Sequence, residues 1–347
     1  VAEDAAPVTP PAVAHAVVRS RVLALLERRW DHRVTTLVAD AGFGKSIALG
    51  QAMRANQAQP RGVEGWISCR SGAETPDRLA GAVERAFGAA PGDDARPLTR
   101  LHRVFADLAP LDATLVLDDL EALGPAGALL VDELLRRPPA NLHVVLSGRP
   151  PLPALGLARF RAADELVEIT AEDLRFDDGE VAALASDLGV APLRQDLAGW
   201  PALVRLALSS PERAVGDYLW EEVVLALREA DRRALLALSV LGPAGADEVR
   251  AVGGVDLDPE VFCARVPLVH RAGGRLGAHE LWAPVRSRLG SAAEIAAVTA
   301  RAGAVVAERG DPLAWGDFAL RHGDADGLRQ ASVALVRSTL GSLPVEV

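Results

Sequence analysis

Val34-Thr35-Thr36-Leu37-Val38-Ala39-Asp40-Ala41-Gly42-Phe43-Gly44-Lys45-Ser46-Ile47 is the stretch on which the fold turns. Its first five residues are aliphatic or β-branched and read as a buried strand; Ala39 to Gly44 is an Ala- and Gly-rich turn; a helix begins at about Ser46. The turn fits the relaxed phosphate-loop pattern, with Ala39 first, four residues, then Gly44, Lys45 and Ser46. Glycines at 42 and 44 let backbone N–H groups converge on a polyphosphate, and the helix N-terminus behind them adds a favourable dipole. In this reading Lys45 reaches the β- and γ-phosphates and Ser46 ligates Mg²⁺. Lys45 is also the only lysine; every other member of the 37 basic residues is arginine. A chain that uses arginine throughout keeps a compact ammonium at the one place where a planar guanidinium does not fit.

With 347 residues the chain has room for two or three domains, and 50% hydrophobic content supports sizeable cores. Aromatics are only 4%, so Ala, Leu and Val must fill those cores. A net charge of −10 argues against bulk nucleic-acid binding by this segment. Cys69 and Cys263 lie far apart, with no partners at metal spacing, so neither a zinc site nor a disulfide framework is expected. Residues 1–15 read as a loose, Pro-rich leader with no secretory character, and no apolar run reaches spanning length. A soluble, cytoplasmic protein without a membrane partner is the expectation.

Outward from the loop, Val17 to Trp30 reads as an entry helix. Beyond it, strands are expected at Gly65 to Cys69, Thr114 to Leu117, Leu142 to Leu146 and Glu165 to Ile169. Helices are expected at Pro76 to Phe87, Leu98 to Leu108 and Pro125 to Arg137. This alternation predicts an α/β domain over 16–171 with a mainly parallel five-stranded sheet. The third strand ends in Asp118-Asp119. After an apolar strand, and downstream of a phosphate loop, such a pair suits a nucleoside-triphosphatase: Asp118 would hold Mg²⁺ through water and Asp119 would orient the attacking water. Aspartate is one methylene shorter than the glutamate of many ATPases, which predicts slow turnover. Arg149, just after the fourth strand, is placed to touch a γ-phosphate and so distinguish ATP from ADP.

From Glu172 the pattern becomes helical, with helices expected at Asp178 to Leu188, Leu193 to Leu197, Pro201 to Leu208, Val215 to Glu229 and Asp231 to Leu241. Gly199-Trp200-Pro201 marks a sharp break, with Pro201 suited to a first helical turn. Two short helices in Ala246 to Ala264, a hairpin about Ala272-Gly273-Gly274 and a helix from Leu281 to Leu289 describe a winged helix, only mildly basic. Ala292 to Arg309, Pro312 to His322 and Ala325 to Leu340 read as the start of a TPR-like helical-repeat arm. The expected domains are therefore the leader, the nucleotide-binding domain over 16–171, a helical domain over 172–220, a winged helix over 221–290 and the arm from 291. The chain is read as a fragment.

The ordered motifs V-A-D-A-G-F-G-K-S, G-W-I-S, L-V-L-D-D, V-L-S-G-R-P, E-D-L-R-F, G-W-P-A and A-H-E-L-W carry a family resemblance. The chain resembles the signal-transduction ATPases with numerous domains (STAND), in the maltose-activator-like branch of large LuxR-type transcriptional regulators. The resemblance implies ADP clamped in a closed monomer and an open, self-associating state with ATP and a small-molecule or protein inducer. DNA would be read through a domain outside this segment. By position it implies a phosphate cradle of Ala41, Gly42, Phe43, Gly44, Lys45, Ser46 and Ile47, with magnesium at Ser46 and Asp118. Asp119, Lys45 and Arg149 would serve the chemistry, Pro201 would pack on the adenine, and His279 would bind the β-phosphate of ADP. Two departures stand out: Asp40 occupies a position commonly proline in the family, and Cys69-Arg70 replaces the usual acidic or polar residues. A competing reading is a nucleotide-dependent scaffold, or a winged-helix DNA-binding module, that does not hydrolyse ATP.

Overall fold

A computed structural model describes residues 10, 13–70, 75–92, 96–191, 197–209 and 213–341. The chain divides into two compact units, 1–209 and 210–347.

The first unit is built on a parallel sheet. Its elements run α1 (Ser20–Glu27), β1 (Val34–Val38), α2 (Lys45–Ala58), β2 (Val63–Ser68), α3 (Pro76–Ala86), α4 (Pro97–Leu108), β3 (Ala113–Asp118), α5 (Pro125–Arg136), β4 (Leu142–Gly148), α6 (Ala158–Ala162), β5 (Leu166–Thr170), α7 (Asp178–Asp187) and α8 (Pro201–Ser209). The strand order is β2-β3-β4-β1-β5, all pairs parallel. β4 therefore lies between β1 and β3, and the C-terminal ends of these three central strands share one edge of the sheet. Burial on both faces explains the near-continuous apolar runs of β3 and β4, in which every residue is buried. Leu115, Leu117, Val144 and Leu146 pack with Leu79, Val83, Phe105, Val131 and Leu134 in one core cluster.

All five expected strands are present, with ends shifted by one or two residues. The entry helix starts later than its periodicity suggests, at Ser20, and closes in a 3-10 turn over Arg28–Trp30. Helix α6 has no counterpart in the sequence reading; five residues are too few for a period to show. The helix expected at Leu193 to Leu197 falls largely outside the described residues.

The second unit contains α9 (Arg213–Tyr218), α10 (Glu229–Leu241), α11 (Ala246–Gly253), α12 (Pro259–Arg265), the antiparallel hairpin β6 (Val269–Ala272) and β7 (Arg275–Ala278), then α13 (Ala292–Glu308), α14 (Pro312–His322) and α15 (Ala325–Gly341). Ala244, just after α10, bridges to Leu276 and adds a third short extended segment to the hairpin. The buried face of α10, with Leu235, Leu238 and Leu241, meets a core that includes Val249, Val252, Phe262 and Trp282.

Two helices expected here are corrected. Val215 to Glu229 is not continuous: α9 passes into a π-turn over Leu219–Val223 and a 3-10 turn over Val224–Ala226. Leu219, Val223 and Val224 are all buried, and an i→i+5 turn brings residues four and five apart onto one side, which a regular α-helix does not. Leu281 to Leu289 is a 3-10 segment, Glu280–Arg288, because Pro284 within it has no N–H to donate.

Candidate nucleotide site

The loop between β1 and α2 is held from outside through three consecutive carbonyls. The indole Nε1 of Trp200 donates to Ala41 O (3.0 Å), the Ala202 N–H to Gly42 O (2.9 Å), and the Arg19 guanidinium to Phe43 O (3.2 Å). Trp200 also stacks on Phe43 with ring centroids 5.0 Å apart. Fixing these carbonyls orients the peptide planes, as a cradle built of amide N–H groups requires. Gly42 and Gly44 take φ of +74° and +77°, and Gly44 caps the N-terminus of α2. A side chain at Gly199 is excluded by contact as well as by its φ of +63°: a Cβ there would lie 2.5 Å from Phe176 O. Gly199 O in turn accepts from Phe176 N–H at 2.7 Å, which seats the G-W-P-A turn against the E-D-L-R-F segment.

Lys45 Nζ donates to Ala39 O (2.6 Å) and Asp40 O (3.0 Å) at the entrance of the loop. Burial pushes its pKa down, against the pull of Glu121 and Asp118. Burial likewise pushes the Asp40 carboxyl up from its ordinary range, with Lys45 and Arg149 opposing. Asp40, where the resembled family commonly has proline, thus carries a desolvated carboxyl.

Ser46 Oγ donates to Asp118 Oδ2 at 2.6 Å, so two residues 72 apart in sequence meet. Asp118 Oδ1 accepts from Ser147 Oγ (2.7 Å) and from the Asp119 N–H (3.0 Å). A hydroxyl beside a fixed carboxylate is a hard-oxygen donor pair, which fits Mg²⁺, an ion that takes one or two carboxylates and completes its shell from phosphates and water. No cluster of three or more His, Cys, Asp or Glu suited to a metal occurs among the described residues.

Asp119 adopts the left-handed conformation, φ +55°, which aspartate tolerates better than most residues. Its Oδ2 accepts from Ser68 Oγ (3.0 Å) and its Oδ1 lies 3.0 Å from Arg70 Nε. Arg149 follows β4; its N–H donates to Glu121 Oε2 (2.9 Å) and its Nε lies 3.6 Å from Glu121 Oε1. Cys69, beside these carboxylates, has its thiol pushed up to about 12, first by burial and then by Asp118, Asp119 and Glu121. It is a poor nucleophile there.

Pro201 is buried at the first turn of α8 and lines a cavity of about 180 Å³ together with Val17, Gly42, Gly44, Ile47 and Phe176. The fold thus brings Ala41 to Ile47, Asp118, Asp119, Arg149 and Pro201 to one end of the first unit. His279 belongs to the second unit, where it caps the 3-10 segment: its Nδ1 accepts from Leu281 N–H at 3.3 Å and its own N–H donates to Leu268 O at 2.8 Å.

Three contributors escape the sequence reading. Arg19 looks like one more charge on an amphipathic entry helix, yet it is buried, bonded to Phe43 O and to the carbonyl of Leu174, and placed over the Phe176 ring. Trp200 reads as part of a turn, although a lone Trp before a helix-starting Pro in an aromatic-poor chain is a signal. Glu121 carries no motif signal.

A family profile described as "AAA domain" matches residues 28–155. The chain is 28% identical over 275 residues to the HTH-type transcriptional regulator MalT of Klebsiella pneumoniae, covering 67% of this chain and 30% of that protein. It is 29% identical over 274 residues to MalT of Cronobacter sakazakii, with the same coverage. The chain thus spans about 30% of the length of the curated relatives it matches. A STAND protein with a tetratricopeptide repeat sensor from Pyrococcus horikoshii aligns over 95% of this chain and 52% of its own, with a TM-score of 0.43 and 17% identity. The first unit has the five-stranded parallel core of a P-loop nucleoside triphosphatase, and over two thirds of its length the chain is similar to the MalT transcriptional regulators.

Proposed function

We propose that this chain is the ATP/ADP-driven switch segment of a transcriptional regulator, with slow Mg²⁺-dependent ATP hydrolysis as its timer. The observation that carries the reading is the meeting of Ser46 with Asp118 at 2.6 Å beside a loop whose carbonyls are held at Ala41, Gly42 and Phe43. In this reading the loop amides and Lys45 bind the β- and γ-phosphates, and the base enters the cavity beside Pro201. Ser46 and Asp118 would hold Mg²⁺, which when bound neutralises charge on the phosphates. Asp119 orients water for in-line attack: a bond forms from the water oxygen to the γ-phosphorus, the bond to the ADP oxygen breaks, and both protons of the water leave on the inorganic phosphate. Arg149 reads the γ-phosphate.

The α10 to α12 bundle, the β6–β7 hairpin and the Ala244 bridge support a winged helix in the second unit, and α13 to α15 the start of a TPR-like arm. His279 is assigned the β-phosphate of ADP in a closed state. Taking a mostly closed population to a mostly open, self-associating one needs a differential of about 5.5 kcal/mol, so an inducer acting with ATP fits the design. DNA binding would belong to another part of a longer regulator. The competing idea of a DNA-binding wing is not favoured, because Arg275 is engaged by Glu248 (2.9 Å) and Pro243 O (2.7 Å), and Arg271 lies 3.6 Å from Glu260. No helix among the described residues is long and apolar enough to cross a membrane.

The test is phosphate release from Mg·ATP by the parent and by Asp119→Asn, with ADP and ATP titrations of His279→Ala alongside. Slow release that Asp119→Asn diminishes while ATP stays bound supports the timer; equal rates remove Asp119. A His279→Ala variant that loses ADP affinity more than ATP affinity supports the closed state. Proportional loss of both leaves His279 a local cap.

A further inference from the structure

One wall of the cavity beside Pro201 comes from the stretch just before α1. His15, Ala16 and Val17 line that cavity together with Leu184 of α7 and Arg205 of α8. Three helices of the first unit pin this strap. His15 Nδ1 lies 2.9 Å from Asp187 Oδ2, on the last residue of α7. Arg205 Nη1, one turn after Pro201 on α8, donates to His15 O at 3.1 Å, and Gln51 Nε2 of α2 donates to Val17 O at 2.9 Å. The ring and the carbonyl of His15 are thus held by different helices. Its backbone is left-handed, φ +54°, a conformation that histidine enters more often than most residues.

The walls of the cavity differ in how firmly they are held. The loop side is fixed by the buried donors Trp200 and Arg19 and by the Ala202 N–H on Gly42 O. At the outer end of the strap, the side chains of His15 and Asp187 are 51% and 53% exposed, and such a contact is weak and exchanges readily. At about 180 Å³ the cavity is smaller than an ordinary ligand pocket and suits a base alone, so entry requires a wall to move. The wall with exposed holds is the one that can. We infer that residues 15–17 are a gate, hinged at the buried Arg19 and latched by His15 on Asp187, and that this latch sets how fast a nucleoside diphosphate exchanges. Asp187 stands outside the cavity lining and acts on the strap, not on the ligand. The inference rests on the placement of the base proposed above and adds a kinetic control to it. A latch that grips only the strap restrains entry and exit alike, so loosening it speeds both and leaves affinity in place.

The experiment is stopped-flow fluorescence with methylanthraniloyl-ADP on the whole chain, reading association and then dissociation into excess ADP. The proteins are the parent, Asp187→Ala, His15→Asn, the double variant of these two, and Lys45→Ala. Asp187→Ala should raise both rate constants about threefold, the scale of a lost exposed pair, with Kd within about twofold of the parent's. His15→Asn keeps a residue that tolerates the left-handed backbone and should behave alike. The double variant should be no faster than either single one, because both break the same pair. Faster dissociation alone, with Kd weakened in proportion, would show that the pair grips bound nucleotide and would overturn the gate. Rates in Asp187→Ala equal to or below the parent's overturn the latch, and the nucleotide site still stands if Lys45→Ala abolishes binding. A parent that binds the probe no more tightly than Lys45→Ala removes the nucleotide reading and the gate together.

Discussion

The phosphate loop and the rim formed by the ends of β2, β3 and β4 belong to one site but are held by different physics. At the loop, three backbone carbonyls accept from a buried indole, a backbone amide and a buried guanidinium. At the rim, Asp119 and Glu121 are held by Arg70 and Arg149, none of them fully buried. Buried hydrogen bonds are costly to leave unmade and so fix geometry; exposed ion pairs are screened and exchange partners cheaply. On the proposed function, the difference divides the labour: a rigid half to bind, and a labile half to time the chemistry.

Removing the charge at the rigid half should have the largest effect. If Lys45 binds the β- and γ-phosphates as proposed, Lys45→Ala deletes charge-assisted bonds each worth about 1.5–3 kcal/mol, so nucleotide affinity should fall by two orders of magnitude or more. Isothermal calorimetry with ATP measures this directly, and an unchanged Kd would show that the loop is not the binding half. Asp119→Asn, in contrast, is expected to leave affinity in place.

Trp200→Phe sharpens the comparison at a smaller scale. The ring stack on Phe43 is retained, but the Nε1–H donor to Ala41 O is lost, leaving a carbonyl unsatisfied beside a fully buried ring. Unfolding free energy should drop by about 1–3 kcal/mol, and ATP affinity should weaken with it because the loop is less fixed. Denaturant melts and calorimetry on the same sample check both. Lost stability with intact affinity would mean that the outside holds serve the fold and not the cradle.

The rigid half is also the legible half. Strand, glycine turn and helix leave a local signature, and Lys45 and Ser46 can be assigned from Val34 to Ile47 alone. Asp118 follows from an apolar strand ending in acids, and its 2.6 Å contact with Ser46, at the start of α2, depends on β1 and β3 ending at the same edge of the sheet with β4 between them. Arg19 and Glu121 were not legible, because their roles depend on carbonyls and cations far away in the chain: Arg19 answers Leu174, and Glu121 answers Arg70 and Arg149. The π-turn at Leu219–Val223 was hidden for a related reason: Leu219 and Val223, four apart, fit an ordinary helical stripe, and only the burial of Val224, five from Leu219, departs from it. Local periodicity records the element a residue belongs to, not the partner its polar atoms find.

Asp40 offers the smallest and most specific test, since it is the one carboxylate built into the rigid half. Its pKa is raised by burial, and Lys45 and Arg149 only partly oppose this, so in the folded protein the charged form is disfavoured relative to the unfolded chain. Between the ordinary aspartate range and its raised folded value, the native state binds more protons than the unfolded state; stability therefore falls as pH rises through that window, and the deficit persists at neutral pH. Asp40→Asn removes the ionisation while preserving the contact that matters, because Lys45 Nζ is bonded to the backbone oxygen of residue 40 and not to its carboxylate. At neutral pH the variant should melt a few degrees above the parent and bind ATP modestly tighter, an anion having been removed from beside the phosphates. The gap should narrow as pH falls through the raised value and vanish below the ordinary carboxylate range. Paired thermal melts across this pH series read the sign: a variant less stable than the parent at neutral pH would mean that the Asp40 carboxylate holds part of the loop in place, and that the binding half, like the rim, depends on charge.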